Sequence, residues 1–220
     1  MALLLRLYGI LDAAYFLDAR SLLAAAESLA SAGCTLLQYR DKSNNARVML
    51  EQARELKRRL SSHVSQQKRD VGHPNVENSI TLIMNDRVDL CLAAGFDGVH
   101  VGQDDLSPES VRKIIGPDRW LGVSTHNPEQ LAEADKSSAD YLAIGPVFAT
   151  SSKEKPDPVV GLEGVRRARQ LTRKPLVAIG GITRANAASV IAAGADSVAV
   201  ISDLLRDPRK SAEEFFRILR

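Results

Sequence analysis

The chain is expected to fold as one α/β domain over residues 1–220, a TIM-type (β/α)8 barrel. Three observations carry that expectation. The first is that seven short apolar runs end abruptly in polar, reactive-looking residues. Cys34-Thr35-Leu36-Leu37 runs into Gln38-Tyr39-Arg40-Asp41-Lys42, Thr81–Met84 into Asn85-Asp86, and Gly98-Val99 into His100-Val101-Gly102-Gln103-Asp104-Asp105. Trp120–Val123 leads to Ser124-Thr125-His126-Asn127, and Tyr141–Ile144 to Gly145-Pro146 and on to Thr150-Ser151-Ser152-Lys153. Leu176–Ile179 meets Gly180-Gly181, and Ser197–Val200 meets Ile201-Ser202. Buried parallel strands read as continuous apolar runs, and α/β proteins gather their chemistry beyond the carboxyl ends of such strands. Seven endings of this kind point to one shared active-site rim.

The second observation is a repeat in which a helix ends in small residues and a Gly or Ala precedes an apolar strand. Its copies are Ala32-Gly33-Cys34, Ala94-Gly95-Phe96-Asp97, Ser138-Ala139-Asp140 and Ala193-Gly194-Ala195-Asp196. Glycine just past a helix supplies a left-handed cap from which the chain turns into a strand. The copies lie about two strand–helix units apart for a barrel of this size, which marks them as the entries to strands 2, 4, 6 and 8. The third is strict alternation of strand and helix patterns, which implies a parallel sheet. Eight units in 220 residues favour closure into a barrel over an open sheet.

The odd strands fall near Leu5–Leu11, Ile80–Met84, Leu121–Ser124 and Leu176–Ile179. Helical patterns cover Ser21–Ala32, Ala46–Leu60, Val88–Ala94, Pro108–Ile115, Pro128–Ser137, Gly164–Leu171, Ala185–Ala193 and Ser211–Leu219. Ser107-Pro108-Glu109 and Asn127-Pro128-Glu129 have the cap, proline and acid expected of a helix start. Ser61–Asn78 is polar and shows neither period, so a mobile loop is expected there, at the bottom of the barrel.

Hydrophobic content of 45% with 25% charge is ordinary for a globular protein. A net charge of +2, from 29 basic and 27 acidic residues, gives no concentrated basic face for nucleic acid. Cys34 and Cys91 each sit in an apolar segment and read as inert buried thiols, which fits a reducing, cytoplasmic setting. Met1–Leu11 is too short for a membrane span and has no small-residue cleavage signature, so no membrane association is expected.

The rim residues suggest phosphate chemistry. Gly180-Gly181-Ile182 after strand 7, with Ile201-Ser202 after strand 8, stands where barrels commonly cradle a phosphate; a plain tight turn is the alternative. Asp86 and Asp105 follow neighbouring strands and suit Mg²⁺, although either could cap a helix and Asp104 competes with Asp105. Gln38, Arg40 and Lys42 alternate, so the pleat sends them the same way, and with Lys153 they would clamp a diphosphate rather than form a solvated surface. His63 and His73 lie in the polar segment, His100 reads as a satisfied barrel residue, and His126 either caps a helix or lines the site. No Ser/His/Asp or Cys/His arrangement stands out. A barrel holding one monophosphate and one diphosphate with Mg²⁺, and no obvious nucleophile, suits ionisation of a diphosphate ester and capture of the cation by a second substrate.

These motifs resemble the thiamine-phosphate synthase family. They are Gln38-x-Arg40-x-Lys42, Asn85-Asp86-Arg87, Gly98-Val99-His100-Val101-Gly102-Gln103-x-Asp105, Gly122-Val123-Ser124-Thr125-His126, Gly145-Pro146-Val147-Phe148-x-Thr150 and Ile179-Gly180-Gly181-Ile182, in order along the chain. The resemblance implies joining of 4-amino-2-methyl-5-hydroxymethylpyrimidine diphosphate to a thiazole phosphate, with release of diphosphate. It implies that Gln38, Arg40, Lys42, Asn85 and Lys153 hold the pyrimidine diphosphate, with Ser124 near the pyrimidine. Asp86 and Asp105 would bind Mg²⁺, and Thr150, Ser152, Gly181, Ile201 and Ser202 the thiazole phosphate. Partners would be those two small substrates, and a homo-oligomer is compatible with the sequence. The family usually carries Thr-x-Thr-Lys where this chain has Thr150-Ser151-Ser152-Lys153; serine keeps the hydroxyl and loses a methyl. The rivals are a thiazole tautomerase, against which Lys42 and Asp105 argue, a sugar-phosphate isomerase or aldolase, and a non-catalytic sensor of thiamine precursors.

Overall fold

The computed structural model describes residues 6–70, 79–150 and 157–220. Eight parallel strands close into a barrel in sequence order. They are β1 (Leu7–Asp12), β2 (Leu36–Arg40), β3 (Thr81–Asn85), β4 (Gly98–Val101), β5 (Trp120–Thr125), β6 (Tyr141–Ile144), β7 (Leu176–Ile179) and β8 (Ser197–Val200). The helices are α1 (Ala19–Ser31), α2 (Ala46–Asp70), α3 (Val88–Ala94), α4 (Pro108–Ile115), α5 (Pro128–Lys136), α6 (Gly161–Leu171), α7 (Ala187–Ala192), α8 (Ser202–Leu205) and α9 (Pro208–Ile218). Ser107 and Asn127 cap α4 and α5 as their sequences predict, each accepting a backbone N–H through its side chain. Gly95 closes α3 in the left-handed conformation at φ 69°.

The strand period of two divides the apolar residues into two layers. Leu11, Leu37, Val99, Leu121, Leu142, Ala178 and Val198 face outward and pack with the helices. Tyr8, Ile10, Ile83, Tyr141, Ala143, Val177 and Ala199 form a separate inner cluster. That inner face is thin and mixed in size, with Gly122 paired in register between His100 and Tyr141, so the barrel is hollow toward its top. Cys34 and Cys91 are buried free thiols whose pKa values burial pushes up to about 12 and about 11, the inert state expected of them.

Three copies of the repeat share a fastening at the bottom of the barrel. The Asp97 carboxylate accepts the Leu82 N–H at 2.9 Å while the Asp97 N–H donates to the Leu82 carbonyl at 2.9 Å. Asp140 does the same with Leu121, at 2.7 and 2.8 Å, and Asp196 with Leu176, at 2.7 and 2.8 Å. Each carboxylate also holds a cation from the preceding even-numbered helix: Lys57 of α2, Arg112 of α4 and Arg169 of α6, all at 2.7 Å. Helix, odd strand and even strand are thereby tied at one carboxylate. Asp140→Ala leaves the Leu121 N–H without its carboxylate acceptor and Arg112 without its anion, a loss of about 1–3 kcal/mol in urea unfolding. Activity should be kept, because the change lies at the end opposite the site.

Two expectations need correction. The helix expected to end at Leu60 continues to Asp70, so the loop expected from Ser61 is helical over its first ten residues. The stretch rich in Gln, Lys and Arg has good helix propensity, which carries a helix without an apolar period. Residues 71–78, the rest of that segment, lie outside the described residues. The second is α8, a four-residue helix directly after β8 where only a strand ending was expected; a single turn is too short to leave a periodic signal.

Candidate active site

The carboxyl ends of the strands open into one cavity of about 530 Å³. Gln38, Arg40, Lys42, Asn85, Asp86, Asp105, Ser124, Thr150, Gly181, Ile201 and Ser202 all line it. Ser152 and Lys153 lie outside the described residues.

On the wall made by β2, β3 and β4, the pleat places Gln38 and Arg40 on the inner face, with Lys42 two residues further. Arg40 is ion-paired to Asp12, which is 2% exposed and also accepts the Ala14 N–H at 3.1 Å. Lys42 is ion-paired to Asp86. Asp86 occupies the left-handed region at φ 59°, its N–H donating to the His100 carbonyl at 2.8 Å. Asp105 accepts the Gly102 N–H at 2.7 Å. Its carboxyl is pushed above its usual range by burial, against the pull of that N–H, and the neighbouring Asp86 carboxylate raises it further. Asp104 lines the same cavity. Asn85 brings a buried Nδ2 with no acceptor among the described residues.

The opposite wall is made by the loops after β6, β7 and β8. Gly180 and Gly181 both have positive φ, 96° and 63°. A Cβ on Gly181 would lie 2.5 Å from the Ala149 carbonyl oxygen and 2.7 Å from Phe148 Cβ, so only glycine lets the two loops meet. Arg184 fixes α8 from behind: its Nε and Nη2 reach the Asp203 carboxylate at 3.0 Å each, its N–H at 2.9 Å, and its Nη1 pairs with Glu214 of α9. Burial raises the Asp203 carboxyl, but Arg184 outweighs it and holds the group below its ordinary range.

The floor is polar at its centre. His100 is buried between the Tyr141 hydroxyl, 3.0 Å from Nδ1, and the Ser124 hydroxyl, 2.8 Å from Nε2. Burial lowers its pKa to about 4, so it is neutral, and it is the satisfied barrel residue expected. His126 lines the cavity, with Nδ1 2.6 Å from the Gly145 carbonyl and Nε2 3.5 Å from Asp157; Asn127 is the helix cap.

Sequence reasoning missed Asp12, Tyr8, Tyr141, Gln103 and Arg184. Asp12 looks like a turn residue, and a strand tyrosine looks like core. The available signal is that a buried tyrosine hydroxyl needs a partner, and two such tyrosines in strands imply a polar feature inside the barrel.

A parallel eight-stranded barrel with two anion-compatible walls around one cavity defines an enzyme of the (β/α)8 class. Residues 7–204 match the family described as thiamine monophosphate synthase. The chain is 58% identical over 217 residues to a thiamine-phosphate synthase of Koribacter versatilis, covering 97% of this chain and 95% of that protein. It is 44% identical over 197 residues to a thiamine-phosphate synthase of Chloroflexus aurantiacus, covering 90% and 83%. Its fold matches that of a thiamine phosphate pyrophosphorylase from Pyrococcus furiosus with a TM-score of 0.79 and 33% identity, over 98% of this chain and 95% of that one. The chain belongs to the thiamine monophosphate synthase family, whose members are transferases acting on small phosphorylated substrates. No helix among the described residues is long and apolar enough to cross a membrane.

Proposed function

We propose that the cavity joins 4-amino-2-methyl-5-hydroxymethylpyrimidine diphosphate to 4-methyl-5-(2-phosphoethyl)thiazole, or its carboxylated form, giving thiamine monophosphate and diphosphate. The observation that carries this reading is one cavity with two different anion-reading walls. Gln38, Arg40, Lys42 and Asn85, with Lys153, take the diphosphate end of the first substrate. Thr150, Gly181, Ile201 and Ser202, with Ser152, take the phosphate of the second. The unpartnered Asn85 Nδ2 supports an acceptor-rich ligand at that wall.

Asp86 and Asp105 fit Mg²⁺. Their carboxylates are close enough for Asp86 to raise the pKa of Asp105, and Lys42 already supplies a cation to Asp86. Two carboxylates suit an ion that completes its shell with water and phosphate oxygens. Bound there, Mg²⁺ would neutralise charge on the departing diphosphate. Arg40 and Lys42 share that task, each turning from its carboxylate to the leaving group. Ser124 and the buried floor hold the pyrimidine, and the phosphate wall holds the thiazole with its nitrogen toward the methylene carbon. In this reading loss of diphosphate, favoured by the cationic side chains beside it, precedes attack by the thiazole nitrogen, and positioning supplies much of the rate. The setting is cytoplasmic, in keeping with the two buried free thiols.

The test is a coupling assay with both substrates, with Mg²⁺ or with EDTA, following thiamine monophosphate as its fluorescent thiochrome derivative. Product formed with Mg²⁺ and lost in EDTA is expected. A protein that binds the thiazole phosphate and makes no product would belong with the tautomerases or sensors instead.

A further inference from the structure

A single file of hydrogen bonds crosses the barrel from Gln38 on β2 to Ser124 on β5. Gln38 Nε2 donates to the Tyr8 hydroxyl at 2.9 Å, and the Tyr8 and Tyr141 hydroxyls are 3.1 Å apart. Tyr141 Oη lies 3.0 Å from His100 Nδ1, and His100 Nε2 lies 2.8 Å from Ser124 Oγ. The first donor sets the direction of the rest. An amide N–H pointing at Tyr8 Oη uses that oxygen as acceptor, leaving the Tyr8 proton for its other partner, Tyr141. Reversing the Tyr8–Tyr141 bond would strand the Tyr8 proton in a fully buried site, an expensive arrangement. Tyr141 then spends its own proton on His100 Nδ1. A neutral imidazole that accepts at Nδ1 carries its proton on Nε2, so His100 donates to Ser124 Oγ. The Ser124 proton is thereby left facing the cavity.

We infer that Tyr8, Tyr141 and His100 form a directional relay that fixes the Ser124 hydroxyl as a donor, so that Ser124 selects a substrate ring with an acceptor atom, such as an unprotonated ring nitrogen, at that point. Tyr8, Tyr141 and His100 are positioning residues in this scheme. The inference takes the identity of the ring from the function proposed above; the direction of the relay follows from the Gln38 amide donating to Tyr8.

The barrel wall is shaped for this file. Gly122 lies in register between His100 and Tyr141 on the inner face. A Cβ there would stand 2.1 Å from Tyr141 Cζ and 2.4 Å from His100 Nδ1, so the missing side chain is the slot through which the two rings meet, with centroids 5.5 Å apart. Gln103 Nε2 donates to the Ser124 carbonyl at 2.6 Å and steadies the far end. The same direction denies His100 the part of a general base toward Ser124, because its Nε2 lone pair is replaced by a proton. A Ser–His pair at 2.8 Å would otherwise invite that reading.

Two measurements decide it. ¹⁵N spectra of the ligand-free protein labelled at histidine, with the His100 signals identified by their loss in His100→Gln, should show Nε2 protonated and Nδ1 bare. Nδ1 protonated would overturn the relay. In kinetics, Tyr141→Phe should raise KM for the pyrimidine diphosphate about tenfold, the effect of one misdirected hydrogen bond, with KM for the thiazole phosphate unchanged. In a Ser124→Ala background the same substitution should add nothing; an equal further loss there would mean that Tyr141 acts on packing and not through Ser124. If the wild-type protein makes no thiamine monophosphate, the proposed reaction fails, and the spectra still decide the direction of the relay.

Discussion

Asp86→Asn should lower kcat about 10²–10³-fold, the size of loss seen when one preorganised electrostatic group is removed from a transition state. The substitution is chosen for its backbone. Asp86 sits at φ 59°, a conformation asparagine adopts with little strain, so the turn between β3 and α3 should survive and the thermal midpoint should move little. What is lost is charge. Asp105 then faces a neutral amide, and the proposed cation site keeps one carboxylate of its two. Lys42 loses the carboxylate it is paired with and can turn to an anion. The expected signature is therefore a large fall in kcat with a rise in the Mg²⁺ concentration needed for half-maximal rate, while the apparent affinity for the diphosphate falls less. Asp86→Ala adds about 1–2 kcal/mol of backbone strain and would confuse the two effects. Initial rates by thiochrome fluorescence over a Mg²⁺ titration make the comparison, and a variant with normal rate and normal Mg²⁺ dependence would remove Asp86 from the metal site.

Gly181→Ala should act on the other substrate. The new methyl would meet the Ala149 carbonyl oxygen and Phe148 Cβ, and a residue other than glycine at φ 63° is itself strained. The loop after β6 would have to withdraw, carrying Thr150 with it. A displacement near 1 Å at a binding group can cost on the order of 10² in rate. KM for the thiazole phosphate should rise at least tenfold in order of magnitude, with KM for the pyrimidine diphosphate unchanged. Equal rises for both substrates would show that the two walls do not divide them as proposed.

Much of this architecture is readable in the sequence for one reason: parallel strands buried on both faces leave continuous apolar runs. The strand at Leu176–Ile179 appears with the boundaries expected and the other odd strands within a residue or two, while β2 runs on past its apolar run to Arg40. The extension of α2 past Leu60 is not readable by period, because Ser61–Asp70 carries no apolar stripe in its sequence. The rim residues are legible because polar side chains at the end of an apolar run have few structural reasons to be there. Contacts that cross the barrel are not. Nothing local announces that Gly122 makes room for Tyr141 to reach His100, or that Asp12 holds Arg40; such pairs exist only once the register around the barrel is set.

The fastening of the first strand pair has its own consequence. Thr35 stands in the chain where the later pairs have Asp97, Asp140 and Asp196, so β1 and β2 lack the carboxylate that ties the others at the bottom. Their ion pair is Asp12 with Arg40, at the top, on a side chain that lines the cavity. Three quarters of the wall is thus riveted out of reach of the cavity, while the quarter next to the chain's first strand is held by an ion pair that faces it. If Arg40 meets the anion as proposed, binding would loosen β1 against β2 through one guanidinium and leave the other pairs closed.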